Sequence, residues 1–121
     1  MPTEIDKWVQ AVTKLTELTQ AGTLTWTVGP HPNTFGEVGA GPAFYSEHAG
    51  QKMRLRPVRP LVAVLISREP MVKLELLDDD NDVLWAFPEI SAISDLYNAA
   101  QYQASGLNRF IDGLIGGEQG Q

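Results

Sequence analysis

MVKLELLDDDNDVLWAF, residues 71 to 87, sets two apolar segments with period-two spacing on either side of a run of carboxylates. Val72, Leu74 and Leu76 alternate with Lys73 and Glu75, the pattern of a strand with one buried face and one polar face. Asp78, Asp79, Asp80, Asn81 and Asp82 then supply a turn, with Asn81 suited to the left-handed backbone that tight hairpin turns require. The return segment is apolar on both sides: Val83, Trp85 and Phe87 fill one face, Leu84 and Ala86 the other. That pattern predicts a central strand, covered from both sides by a helix or by a second copy of the chain.

The neighbouring segments extend the hairpin into a sheet. Leu61 to Ile66 is a continuous apolar run between Pro60 and Pro70, read as a strand covered on both faces, with a short buried helix as the alternative. Ala43 to His48 and Gln51 to Arg56 flank Ala49-Gly50 and read as a second hairpin. With Ala49 and Gly50 as its loop, Glu47 faces Lys52, Tyr45 faces Arg54 and Phe44 faces Leu55. Phe44, Met53 and Leu55 then share the apolar face, while Tyr45, Glu47, Lys52, Arg54 and Arg56 share an exposed polar one. Thr23 to Val28 alternates threonine with Leu24, Trp26 and Val28, the signature of a half-buried strand.

Helical spacing bounds the sheet. Ile5, Trp8, Val9, Val12, Leu15 and Leu18 recur at steps of three and four, with Thr3 as the capping start and Gly22 as the stop. Ile90, Ile93, Leu96, Tyr97, Ala100 and Ala104 repeat the pattern, with Ser91 as cap and Gly106 as stop. Leu107, Phe110, Ile111, Leu114 and Ile115 predict a further short helix before the tail GGEQGQ. The expected fold class is α+β: an N-terminal helix, a meander-like antiparallel β-sheet of about five to six strands, and one or two C-terminal helices packed on the sheet. Residues 1–115 form one globular domain and residues 116–121 a flexible tail.

Composition narrows the function classes. A chain of 121 residues with 43% hydrophobic content is long enough for one core. No apolar run approaches the roughly twenty residues of a membrane span, so no membrane partner is expected. The lack of cysteine suits a reducing compartment, and the expected localisation is cytoplasmic. A net charge of −6 works against broad nucleic-acid binding, because phosphates repel such a chain.

Two side-chain clusters are candidate sites. Tyr45, Lys52, Arg54 and Arg56 on one sheet face form an anion patch with the donors to grip a phosphate or carboxylate, unless they are simply the solvated face of a hairpin. Asp78, Asp80 and Asp82 at alternate positions, with Glu89 eleven residues after Asp78, offer hard oxygens for a divalent metal. Val83 stands where an EF-hand loop needs glycine, and the flanks read as strands. Gly36, Gly39 and Gly41 lack the lysine and the helix of a phosphate-binding loop. His31 and His48 have no sequence neighbour that makes them a catalytic base.

No catalytic residue and no cofactor are assigned. The expected function is a small non-enzymatic binding or regulatory module recognising a protein partner or a small anionic ligand, with a homodimer as a further expectation. The alternative is a small metal-dependent enzyme or hydrolase built on the acidic hairpin or on a histidine.

Overall fold

The computed structural model describes residues 4–32, 36–61 and 70–120. Helix α1 (Glu4–Gln20) leads into strands β1 (Thr27–Gly29), β2 (Glu37–Gly39), β3 (Ala43–His48), β4 (Gln51–Pro60), β5 (Met71–Leu77) and β6 (Val83–Ala86), followed by helices α2 (Ala92–Ala104) and α3 (Leu107–Gly120). The six strands form one antiparallel sheet in the order β1-β3-β4-β5-β6, with β2 pairing the far end of β4. The fold is α+β, with a β3-to-β6 meander at its centre. Among the described residues no helix is long and apolar enough to cross a membrane.

The β3–β4 hairpin takes the register its sequence dictates. Phe44 pairs with Leu55, Tyr45 with Arg54 and Glu47 with Lys52. Ala49 and Gly50 both have positive φ, 51° and 81°, the backbone of the two-residue turn that matches strand twist. At the β5–β6 turn Asn81 takes φ 66°. There Asp78 Oδ1 accepts hydrogen bonds from the Asp80 and Asp82 amides, at 2.8 and 2.9 Å. The carboxylate thus organises the turn backbone.

Phe44, Met53, Leu55 and Leu74 on the sheet pack against Val12 of α1 and Ile93, Leu96, Tyr97 and Ala100 of α2. One polar side chain ties these layers together. Gln103 Nε2 donates to the carbonyls of Thr19 and Leu24, while its Oε1 accepts the Trp26 amide at 2.8 Å. Trp26 Nε1 in turn donates to Thr19 Oγ1 at 2.9 Å.

This clamp explains why strand pairing starts late. Thr23 and Leu24 donate their amides to Leu18 O, and Trp26 donates to Gln103, so the alternation from Thr23 becomes a strand only at Thr27. Leu24 and Trp26 are buried as expected, but Val28 is exposed. Ser91 likewise makes no side-chain cap bond, because its backbone is already helical. Helix α3 continues to Gly120, through residues expected in the tail, since each residue added to a formed helix gains one backbone bond. Thr3 and Val62 to Ile66 lie outside the described residues; Leu61 is exposed.

β6 is not the central strand its sequence predicts. It closes the sheet, and all four of its residues are exposed. Trp85 stacks on Trp8 with ring centroids 6.0 Å apart, and Phe87 meets Trp8 edge-on at 5.2 Å. That contact covers only part of one face.

Candidate functional site

The β3–β4–β5 registers place Tyr45 opposite Arg54 and Arg54 opposite Glu75, so the basic face acquires a carboxylate from the next strand. Glu75 is the hub. Arg56 donates from Nε to its Oε1 at 2.8 Å and from Nη2 to its Oε2 at 3.1 Å. Arg54 donates from Nε to Oε1 at 2.8 Å, and its guanidinium lies 5.9 Å from the Tyr45 ring centroid. Glu37 on β2 extends the lattice, accepting from Arg56 Nη1 at 3.1 Å and pairing with Lys73.

This arrangement corrects the exposed polar face expected from alternation. Arg54, Arg56 and Glu75 are only 5%, 4% and 3% exposed. Burial pushes the Glu75 carboxyl upward, but hydrogen bonds and charge from Arg56 and Arg54 outweigh it and hold it below the usual carboxylate range. Burial acts the same way on Glu37, where Lys73 and Arg56 again leave the carboxyl lowered. Arg56 is held above its ordinary value, because the two glutamates outweigh the effect of burial. The guanidiniums that define the anion patch are therefore already occupied by an internal carboxylate.

The remaining patch member, Lys52, is bound elsewhere. Its Nζ reaches Asn81 Oδ1 at 3.1 Å and the Asp79 carbonyl at 3.3 Å. The structure thus brings Tyr45, Arg54 and Arg56 together and draws Lys52 to the acidic turn.

Asp78, Asp80 and Asp82 do converge, with carboxylate oxygens within 4.8 Å of one another, and Glu89 does not join them. One Asp78 oxygen is already bonded to two amides, and Lys52 supplies a positive charge beside the turn. Both features belong to turn chemistry rather than to a cation cage.

Part of the glycine segment is tied into the sheet: β2 pairs with β4, and Ala40 N donates to Pro57 O at 2.9 Å. A Cβ on Gly39 would come within 3.1 Å of the His31 ring, so this glycine serves close packing. His31 Nε2 lies 3.1 Å from Pro57 O. Among the described residues no serine hydroxyl bonds a histidine, and Ser46 Oγ donates to Thr25 O.

Sequence reasoning missed two exposed apolar surfaces. On β6, Val83, Leu84 and Trp85 are 48%, 61% and 50% exposed. On α3, Leu107, Phe110, Ile111, Leu114 and Ile115 are 37% to 63% exposed. Helical geometry puts Arg109 and Asp112 on the opposite side of α3 from that stripe, and both line a groove of about 1090 Å³ shared with α1 and α2. Arg109 and Asp112 thus border that groove from the polar side of α3, and the apolar stripe lies on the other side of the helix, exposed. The signal for this lies in the sequence, since these positions carry a full apolar stripe beyond the core already closed by α1 and α2. Comparison with protein-family models, with curated proteins and with solved structures finds no match.

Proposed function

We propose that the protein is a small non-enzymatic interaction module that meets a protein partner through apolar surface on β6 and α3. The observation that carries this reading is the exposure of Val83, Leu84 and Trp85 on one sheet edge together with the exposed stripe of α3. Contiguous exposed apolar surface on a small domain marks an interaction site more often than a solvated face. The committed arginines turn the reading away from a small anion, and the occupied Asp78 oxygen turns it away from metal-dependent hydrolysis.

Site-specific photo-crosslinking in cells that make the protein tests the proposal. A crosslinker at Leu84 or Phe110 is expected to capture a discrete partner, whereas one at exposed Glu17 captures none. Absence of a product at both apolar sites, with a magnesium-dependent melting shift lost in Asp80→Asn, would favour the enzymatic alternative.

A second reading is self-association through α3. Leu107, Phe110, Ile111 and Leu114 are spaced symmetrically, so an antiparallel two-fold pair would set Leu107 against Leu114 and Phe110 against Ile111. Sedimentation showing only monomer at micromolar concentration would remove this reading.

A further inference from the structure

From the edge position of β6 we infer that this strand docks an extended, basic segment of a partner protein as an added strand. The inference rests on the interaction-module reading and names the partner's chemistry. Three observations converge on it.

First, β6 ends the sheet, so one side of its backbone has no strand partner among the described residues. The Phe87 amide donates inward to Leu74 O at 2.9 Å. Strand alternation then directs the Ala86 amide and carbonyl outward. Exposed edges of this kind accept a further strand through main-chain hydrogen bonds.

Second, the edge is only lightly guarded: it is four residues long, its pairing with β5 has a register irregularity between Leu76 and Leu77, and Pro88 follows Phe87, but the strand itself carries no blocking residue. Val83, Leu84, Trp85 and Ala86 include no charge and no proline, and all four are exposed. The opposite edge, β1, has three residues and runs from Gly29 directly into Pro30. Of the described edge strands, only β6 offers apolar side chains on both faces for an incoming strand.

Third, the rim is acidic. Asp79, Asp80 and Asp82 are exposed at one end of β6 and Glu89 at the other, and among the described residues Lys52 is the one cation bonded to the turn. Charge also argues against a second copy of β6 in this position. Two-fold pairing must be antiparallel with opposed residues on the same face, so it centres on a residue; centred on Leu84 it sets Asp79 opposite Glu89 of the second copy, twice. A segment alternating basic and apolar residues satisfies the same edge without that repulsion.

The test uses the full chain and two seven-residue probes, one alternating lysine with valine and one with glutamate in place of lysine. Titration followed by amide and indole NMR signals is expected to show the lysine peptide binding about tenfold more tightly, since three or four exposed charge pairs together supply about that factor. The perturbed signals are expected to centre on Leu84 to Phe87. Ala86→Pro, which removes an outward donor and leaves the β5 ladder bonds in place, is expected to abolish binding with native circular dichroism retained. Leu84→Lys is expected to do the same should the proline variant fail to fold. Asp79→Lys with Asp80→Lys is expected to reduce the preference between peptides to less than about threefold. Equal binding of the two peptides overturns the basic partner while leaving the apolar edge as a docking site. Binding of neither peptide overturns docking at β6, and a crosslink from Phe110 would still uphold the interaction reading through α3.

Discussion

Arg56 holds Glu75 through two parallel hydrogen bonds across the β4–β5 pair, at 2.8 and 3.1 Å, in a part of the sheet that water barely reaches. Arg54 shares the same carboxylate from the next position on that face, and Glu37 takes the remaining edge of Arg56. Three cations, counting Lys73, thus meet two carboxylates. Removing the Glu75 carboxylate leaves the buried Arg54 guanidinium without its ion pair and Arg56 with Glu37 alone, which is more costly than the net worth of the pair itself. Glu75→Gln is expected to destabilise the fold by about 3–5 kcal/mol in urea denaturation. A loss below about 1 kcal/mol would mean that water reaches the arginines.

The same lattice gives stability a pH dependence of definite sign. Glu75 and Glu37 have folded-state values below their ordinary ones. Each therefore contributes stability that is fully present above its unfolded value, about 4.3, and that is lost as pH falls through the lower folded value. Melting temperature is expected to fall as pH drops below about 4.3. Glu75→Gln removes one of the two groups, so its melting curve should flatten over that range. An equally steep acid transition in the variant would assign the effect to other carboxylates.

Gln103 satisfies three backbone groups at once: the Thr19 and Leu24 carbonyls and the Trp26 amide. Gln103→Leu keeps similar volume and leaves those groups without their partner. The expected cost is about 2–4 kcal/mol, since each stranded polar group costs about 1–3 kcal/mol and water can reach part of this site. Hydrogen exchange should locate the effect, with the Trp26 amide losing protection before the β4–β5 amides do.

The sequence was most legible where a local device fixes the backbone. Ala49-Gly50 sets the register of β3 against β4, Asn81 the β5–β6 turn, and Gly106 the end of α2, all through positive φ at the expected places. It was least legible where a distant partner decides the environment. Alternation correctly put Arg54 and Arg56 on the face opposite Phe44 and Leu55, but only the β4–β5 register brings Glu75 against them and allows their burial. β6 shows the converse. Its apolar residues read as central because composition reports what a strand prefers to contact, whereas strand order decides whether the chain itself supplies that contact.

The acidic turn provides a clean separation between scaffold and metal site. Three carboxylates lie within 4.8 Å, yet Asp78 Oδ1 already receives two amides, and Lys52 Nζ stands 3.1 Å from Asn81 Oδ1. A divalent cation binding there would meet an Asp78 carboxylate whose Oδ1 already takes two amides, leaving Oδ2 as its ligand, and would have to tolerate an ammonium nearby. Millimolar calcium or magnesium is therefore expected to shift the melting temperature by less than about 1 °C, because weak occupancy adds little to folding free energy. Asp78→Ala, by contrast, is expected to cost about 1–2 kcal/mol through loss of the two turn bonds. Asp80→Ala, whose carboxylate makes no comparable bond to the turn backbone, is expected to cost less than about 0.5 kcal/mol. A metal site predicts the opposite pattern: a large calcium shift in the parent protein, abolished equally by Asp78→Ala and Asp80→Ala. Thermal melts of the three proteins with and without the cation distinguish the two.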